Sequence, residues 1–217
     1  MTTYHLTVKN ESNEDWDIFT FQKNPILNLN SPALVSLAWF TKYTAAHSQC
    51  KFKWDLEYNF MWSETGNLTP GVVFDASQSF LADPFATGLA TAANAGDQAV
   101  LSYNAEQEYF EFNNEGPLVT NPSPGTLYIA CDSSVPNGVA SVGIGMSNAG
   151  TFALPALTNI TAEFTPDPTY YVAANVSIQQ GQVLEEEISN AVELQFAGVT
   201  SLTATFNPDH TWSVTKS

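Results

Sequence analysis

The stretch KFKWDLEYNFMWSE (51–64) places six apolar residues at alternate positions from Phe52 to Trp62. Phe52, Trp54, Leu56, Tyr58, Phe60 and Trp62 fall on one parity, and Lys51, Lys53, Asp55, Glu57 and Asn59 on the other. Successive side chains of a strand point to opposite faces, so this period describes a strand with one face in a core and one in water. It predicts one long central strand over 51–64, with Trp54 and Phe60 buried. It also makes Asp55 and Glu57, beside Lys51 and Lys53, a charged outer face rather than a catalytic carboxylate pair.

The same period recurs outward in both directions. Tyr4, Leu6 and Val8 alternate, as do Val35, Leu37 and Trp39; Leu127, Ile129 and Cys131; Val142, Ile144 and Met146; Val192, Leu194 and Phe196; and Leu202, Ala204 and Phe206. Residues 98–112 read as a hairpin around Asn104–Gln107. Turn signals separate these runs, among them Asn24-Pro25, Pro136-Asn137-Gly138, Pro166-Asp167-Pro168 and Asn207-Pro208-Asp209. Residues 82–97 are small and repetitive and read as a long loop. Leu184, Ile188 and Ala191 have helical spacing, so a short helix is expected over 183–194. No longer helical period exists, which excludes βαβ units. The expected fold is all-β: a single domain over 1–217, built as a jelly-roll-like sandwich of two antiparallel sheets with long loops.

Composition supports a large core and restricts partners. Hydrophobic residues make up 44% of the 217 and aromatics 12%, far from the make-up of a disordered chain. Against 22 acidic residues stand six basic ones, a formal charge of −16. All six are Lys. Five (Lys9, Lys23, Lys42, Lys51, Lys53) lie in the first 53 residues, so 54–215 holds 18 acids and no Lys or Arg. No basic patch for phosphates can form there, which argues against nucleic acid and against anionic membranes. The absence of Arg argues against phosphorylated or carboxylate ligands. The plain reading of the acidity is solubility at high abundance, in preference to cation capture. Met1–Lys9 lacks a basic leader region and already alternates, so no secretory leader is expected. Cys50 and Cys131 read as two reduced thiols in a cytoplasmic protein, with a single bridge as the alternative.

Motifs with chemistry are weak. The run GIGMSNAG (143–150) has Asn148 where a dinucleotide fingerprint needs Gly, and Ala149 where a nucleophile elbow needs Gly. Its glycines are expected to serve a bulge or a close backbone approach. His5, His47 and His210 show no metal-ligand spacing and suggest no triad. Neither acidic cluster, Glu106/Glu108/Glu111/Glu115 or Glu185–Glu187 with Glu193, contains an Asp-x-Asp-x-Asp-Gly loop. A weak Ca²⁺ site assembled from loops ranks below solvated carboxylates. No catalytic residue, metal site or cofactor is expected. The adjacent rings Trp39-Phe40 and Tyr170-Tyr171 point to opposite faces of a strand. Trp39, Tyr170 and Tyr171 are therefore the candidates for a ligand or interface contact, by stacking on a sugar or joining a partner protein.

The strings VSLAWFTKY (35–43), FKWDLEYNFMWSETGNLTPGVVFDASQ (52–78), SVGIGMSNAGTF (141–152), FTPDPTYYV (164–172) and QQGQVLE (179–185) resemble the RhiA family of rhizosphere-induced bacterial proteins. The resemblance covers nearly the whole chain. It implies quorum-regulated expression and abundant intracellular accumulation, and it brings no catalytic residues. Asp167 and Tyr171 stand where the resemblance leads one to expect His and Trp. The functional expectation is an abundant non-enzymatic protein acting by self-assembly or protein interaction, tuned by its acidity. A lectin-like glycan-binding module is the alternative, and a hydrolase with an unrecognised site is the least favoured reading.

Overall fold

The computed structural model describes residues 2–23, 34–113, 115–116, 118–166 and 168–216. The Asn24-Pro25 turn and Asp167 lie outside the described residues. Seventeen strands are present among the described residues, and no helix. They are β1 (Thr3–Asn10), β2 (Trp16–Gln22), β3 (Val35–Ser36), β4 (Phe40–Thr44), β5 (Ser48–Asp55) and β6 (Tyr58–Ser63). Then come β7 (Gln78–Ala82), β8 (Gln98–Asn104), β9 (Tyr109–Asn113), β10 (Leu127–Cys131), β11 (Ser141–Met146) and β12 (Ala149–Pro155). The last are β13 (Thr161–Phe164), β14 (Tyr170–Asn175), β15 (Val192–Glu193), β16 (Ser201–Phe206) and β17 (Trp212–Lys216).

The all-β reading holds, but the strands are parcelled into four sheets. Sheet I runs β17-β16-β1-β5, sheet II β15-β14-β2-β4, sheet III β3-β12-β11-β6-β7 and sheet IV β13-β10-β8-β9. Pairing is mostly antiparallel; β1–β16 and β8–β10 are parallel. Sheets I and II close over one core, in which Leu6, Val8, Ile18, Phe52, Trp54, Val172 and Phe206 pack. This terminal sandwich is built from β1, β2, β4 and β5 near one end of the sequence and β14–β17 near the other. Sheets III and IV close over a second core of Phe60, Trp62, Leu101, Phe112, Ile129, Ile144 and Leu154. The hairpin expected over 98–112 is β8–β9, and Cys131 points into this central core.

The stretch that decides the fold is not one strand. It breaks at Leu56-Glu57, with β5 in sheet I and β6 in sheet III. Trp54 and Phe60 are buried as the alternation requires, but Leu56 is 38% exposed because the chain is passing between sandwiches there. Beyond the break the alternation also ceases to describe burial. Asn59 and Met61 are buried as well, since Leu68, Phe74 and Val183 cover the second face of sheet III.

GIGMSNAG is the hairpin that holds this crossing. Ser147 and Asn148, both with positive φ, form its two-residue turn, and the β11–β12 register shifts between Ile144 and Gly145. A Cβ on Gly143 would stand 2.2 Å from the Phe152 carbonyl oxygen, so the close-approach role is real. At the tip, Ser147 Oγ accepts from the Asp55 amide at 2.8 Å and donates to the Asp55 carbonyl at 3.0 Å. The Ser147 amide donates to the Glu57 carbonyl (2.9 Å) and the Asn148 amide to Asn59 Oδ1 (3.0 Å).

A second junction involves residues 181–184. Ala38 donates to the Gln182 carbonyl (2.8 Å), Leu184 to Ser36 (2.9 Å) and Val183 to Val72 (2.7 Å). The helix expected over 183–194 is therefore absent. The backbone of Val183 and Leu184 is drawn into strand-like pairing, and Leu184, Ile188 and Ala191 still pack together on the outer face of sheet II, from a loop.

Candidate interaction surfaces

The three ring candidates divide. Trp39 is 0% and Tyr170 6% exposed, so neither is a surface ring. Both belong to an aromatic cluster inside the terminal sandwich, where Trp54 lies 5.2 Å from each of them and Phe196 5.9 Å from Tyr170, between centroids. Trp39 Nε1 donates to the Met146 carbonyl at 2.9 Å, which satisfies it against the hairpin tip. Burial pushes the Tyr170 phenol well above its ordinary pKa, and its hydroxyl meets Met146 Sδ at 3.8 Å. Tyr171 does turn outward and is partly exposed, but Phe21 stacks on it at 5.2 Å and Lys23 Nζ sits 4.9 Å over its ring. Of the three, only Tyr171 reaches the surface. The large exposed rings are instead Phe85 (80%) and Tyr43 (66%), and Tyr43 donates to Asp15. The alternation rule could not find these two, because Phe85 lies outside any strand and Tyr43 sits on an edge strand of sheet II.

Among the described residues no three His, Cys, Asp or Glu side chains gather where they could hold a metal ion, so the carboxylate clusters do not converge on a Ca²⁺ cage. Cys50 and Cys131 are both free thiols; the first lies in sheet I and the second in sheet IV, so the bridge alternative falls. Of the histidines, His210 lies 4.0 Å from Glu14 and His47 Nε2 3.2 Å from Asn13 Oδ1. The Ser147 hydroxyl is committed to the Asp55 backbone.

One surface is assembled by strand register alone. Leu6, Val8, Phe52, Trp54, Leu202 and Ala204 point into the core, so their neighbours point out. The pairing sets Lys53, His5 and Ser201 in one row across sheet I. Lys51, Thr7, Thr203 and Thr215 form the next, and Gln49, Lys9, Thr205 and Ser213 the third. Asp55 closes one end of the face, where it accepts from Thr3. At the open edge of β5, Lys42 Nζ donates to the Lys51 carbonyl at 2.6 Å. Among the described residues the single ion pair within 4.0 Å joins His210 to Glu14, so Lys9, Lys51 and Lys53 have no carboxylate at that distance. The sequence showed Lys concentrated near one end; it could not show three of them on one face. The two sandwiches are also unequal in charge: residues 56–167 carry twelve Asp and Glu and no Lys or Arg.

The RhiA family model matches residues 1–217. The chain belongs to the RhiA family. Protein RhiA of Rhizobium leguminosarum bv. viciae is 36% identical over 202 residues, 90% of this chain and 78% of that protein. No solved structure matches the chain significantly. The strings that carry the family resemblance fall largely on the junctions between sandwiches: VSLAWFTKY spans β3, the crossing and β4, SVGIGMSNAGTF is the β11–β12 hairpin, and QQGQVLE contains the segment paired to Ser36, Ala38 and Val72. Among the described residues no helix is long and apolar enough to cross a membrane.

Proposed function

We propose that this RhiA-family chain is a non-enzymatic cytoplasmic protein that works by associating with copies of itself. The observation that carries the reading is charge segregation within one folded chain. The central sandwich has carboxylates and no cation, while three lysines with no ion-pair partner among the described residues share one face of the terminal sandwich. Like surfaces of such a molecule repel and unlike surfaces attract, so oriented contact is favoured over random aggregation. The free state of Cys50 and Cys131 suits a reducing compartment. Hydrogen bonds at the β11–β12 tip and along the 181–184 ladder link the strands of the two sandwiches.

Light scattering tests the reading. Larger species are expected at low ionic strength, fading as salt shortens the Debye length to about 10 Å at 0.1 M. Lowering the pH toward 5, or adding millimolar Ca²⁺, weakens the general repulsion of the acidic surfaces and should favour larger species. A strict monomer at high concentration under all of these conditions would remove the reading.

A further inference from the structure

We infer that the outer face of the β17-β16-β1-β5 sheet is a docking surface for a second copy of the chain, which presents the acidic β8–β9 hairpin of its central sandwich to it. The inference rests on the self-association proposed above and gives it an orientation. The face is built for such a contact in three respects. Its cations, Lys9, Lys51 and Lys53, stand on the two adjacent strands β1 and β5, and none has an ion-pair partner among the described residues. Apart from His5, and Asp55 at one end, the rest of the face is hydroxyl and amide: Thr7, Thr203, Thr205, Thr215, Ser213 and Gln49 are polar without adding charge. The edge of β5 is guarded by lysines, with Lys42 already occupying the Lys51 carbonyl, so the face and not the strand edge is offered to a partner.

The counterpart is chosen by complementarity. In the cation-free central sandwich the densest run of exposed carboxylates is Glu106, Glu108, Glu111 and Glu115, on and beside the β8–β9 hairpin. The face and the hairpin belong to different sandwiches of one chain, so each copy can give one and receive the other. That contact is heterologous; it closes into a ring or continues as an open chain according to the rotation between copies. It is also salt-sensitive, because exposed charges at its rim are screened.

Charge exchange tests it by light scattering at low salt, with near-ultraviolet circular dichroism as the check on folding. One variant is Lys51→Glu with Lys53→Glu; the other is Glu106→Lys with Glu111→Lys. All four positions are exposed, so native spectra are expected. Each variant alone should associate at least tenfold more weakly than the natural chain. An equimolar mixture should recover larger species, because the acidic face of one variant then meets the basic hairpin of the other, and the converse pair is unchanged in sign. If the natural chain associates but either variant associates as well as it does, the docking assignment is overturned while self-association stands. The assignment is equally overturned if both variants are monomeric and their mixture stays so. A natural chain that never associates removes both proposals.

Discussion

Replacing Trp54 and Leu56 separately by Ala separates the structure from the alternation of Phe52 to Trp62. Both residues lie on the same parity, and the pattern alone makes them equals in one buried row. The structure makes Trp54 1% exposed and Leu56 38% exposed. A fully buried Trp removes roughly 150–250 Å² from water, about 4–6 kcal/mol at 25 cal/mol per Å². Trp54 also has ring centroids of Trp39 and Tyr170 at 5.2 Å and of Phe196 at 5.6 Å, in tilted or edge geometries that add to burial. Partial collapse of the site offsets some of the loss, so Trp54→Ala should cost about 3–5 kcal/mol. Leu56→Ala should cost under about 1 kcal/mol, as at other exposed positions. Urea unfolding followed by far-ultraviolet circular dichroism, which does not depend on the lost indole, measures both. Equal costs would mean that 51–64 is one continuous strand and that the crossing at Leu56-Glu57 is wrong.

Two further outcomes follow from titratable groups. Burial pushes the Asp132 carboxyl up, but hydrogen bonds from Ser102, Ser134 and the Ser134 amide outweigh it and hold its pKa below the ordinary value. Its contribution is therefore present above the unfolded value, near 4, and is lost as pH falls through the folded one. Asp132→Ala should cost about 1–2 kcal/mol at pH 7 and progressively less toward pH 3, a convergence that acid-dependent unfolding would reveal or refute. Burial raises both thiols above their ordinary value, Cys131 to about 11. At pH 8 the folded protein should be modified slowly at half-buried Cys50 and scarcely at Cys131, and denaturation without reductant should release two reactive thiols; equal rates in the folded state would contradict the buried placement.

Much of the architecture could be read in the sequence because period-two alternation is a local property. Leu127, Ile129 and Cys131, or Leu202, Ala204 and Phe206, declare their inward face whatever they pair with, and the β8–β9 hairpin follows from two such runs and a short turn. The excess of carboxylates, the confinement of Lys to 1–53 and 216, and the failure of GIGMSNAG as a nucleotide or nucleophile motif are likewise fixed by residue identity. The site was less legible. Adjacent rings were expected to leave one exposed, and Tyr171 does turn outward, but Trp39 lies at a crossing between sheets and Tyr170 within the aromatic cluster, where the β11–β12 tip lies against Trp39.

What only the tertiary structure decided depends on pairing between residues far apart in the chain. Alternation continues unchanged across Leu56-Glu57 although the chain leaves one sheet for another, because parity is kept through a two-residue crossing and carries no record of which strand lies alongside. The division into two cores therefore has no local signature. The lysine face has the same origin. Lys53 comes opposite His5, Lys51 opposite Thr7 and Gln49 opposite Lys9 through the antiparallel β1–β5 register, and the Thr and Ser rows join them only because β16, some 200 residues away, pairs parallel to β1. Composition set the charges, and strand register, which follows from burying Leu6, Val8, Phe52 and Trp54 together, set where they stand.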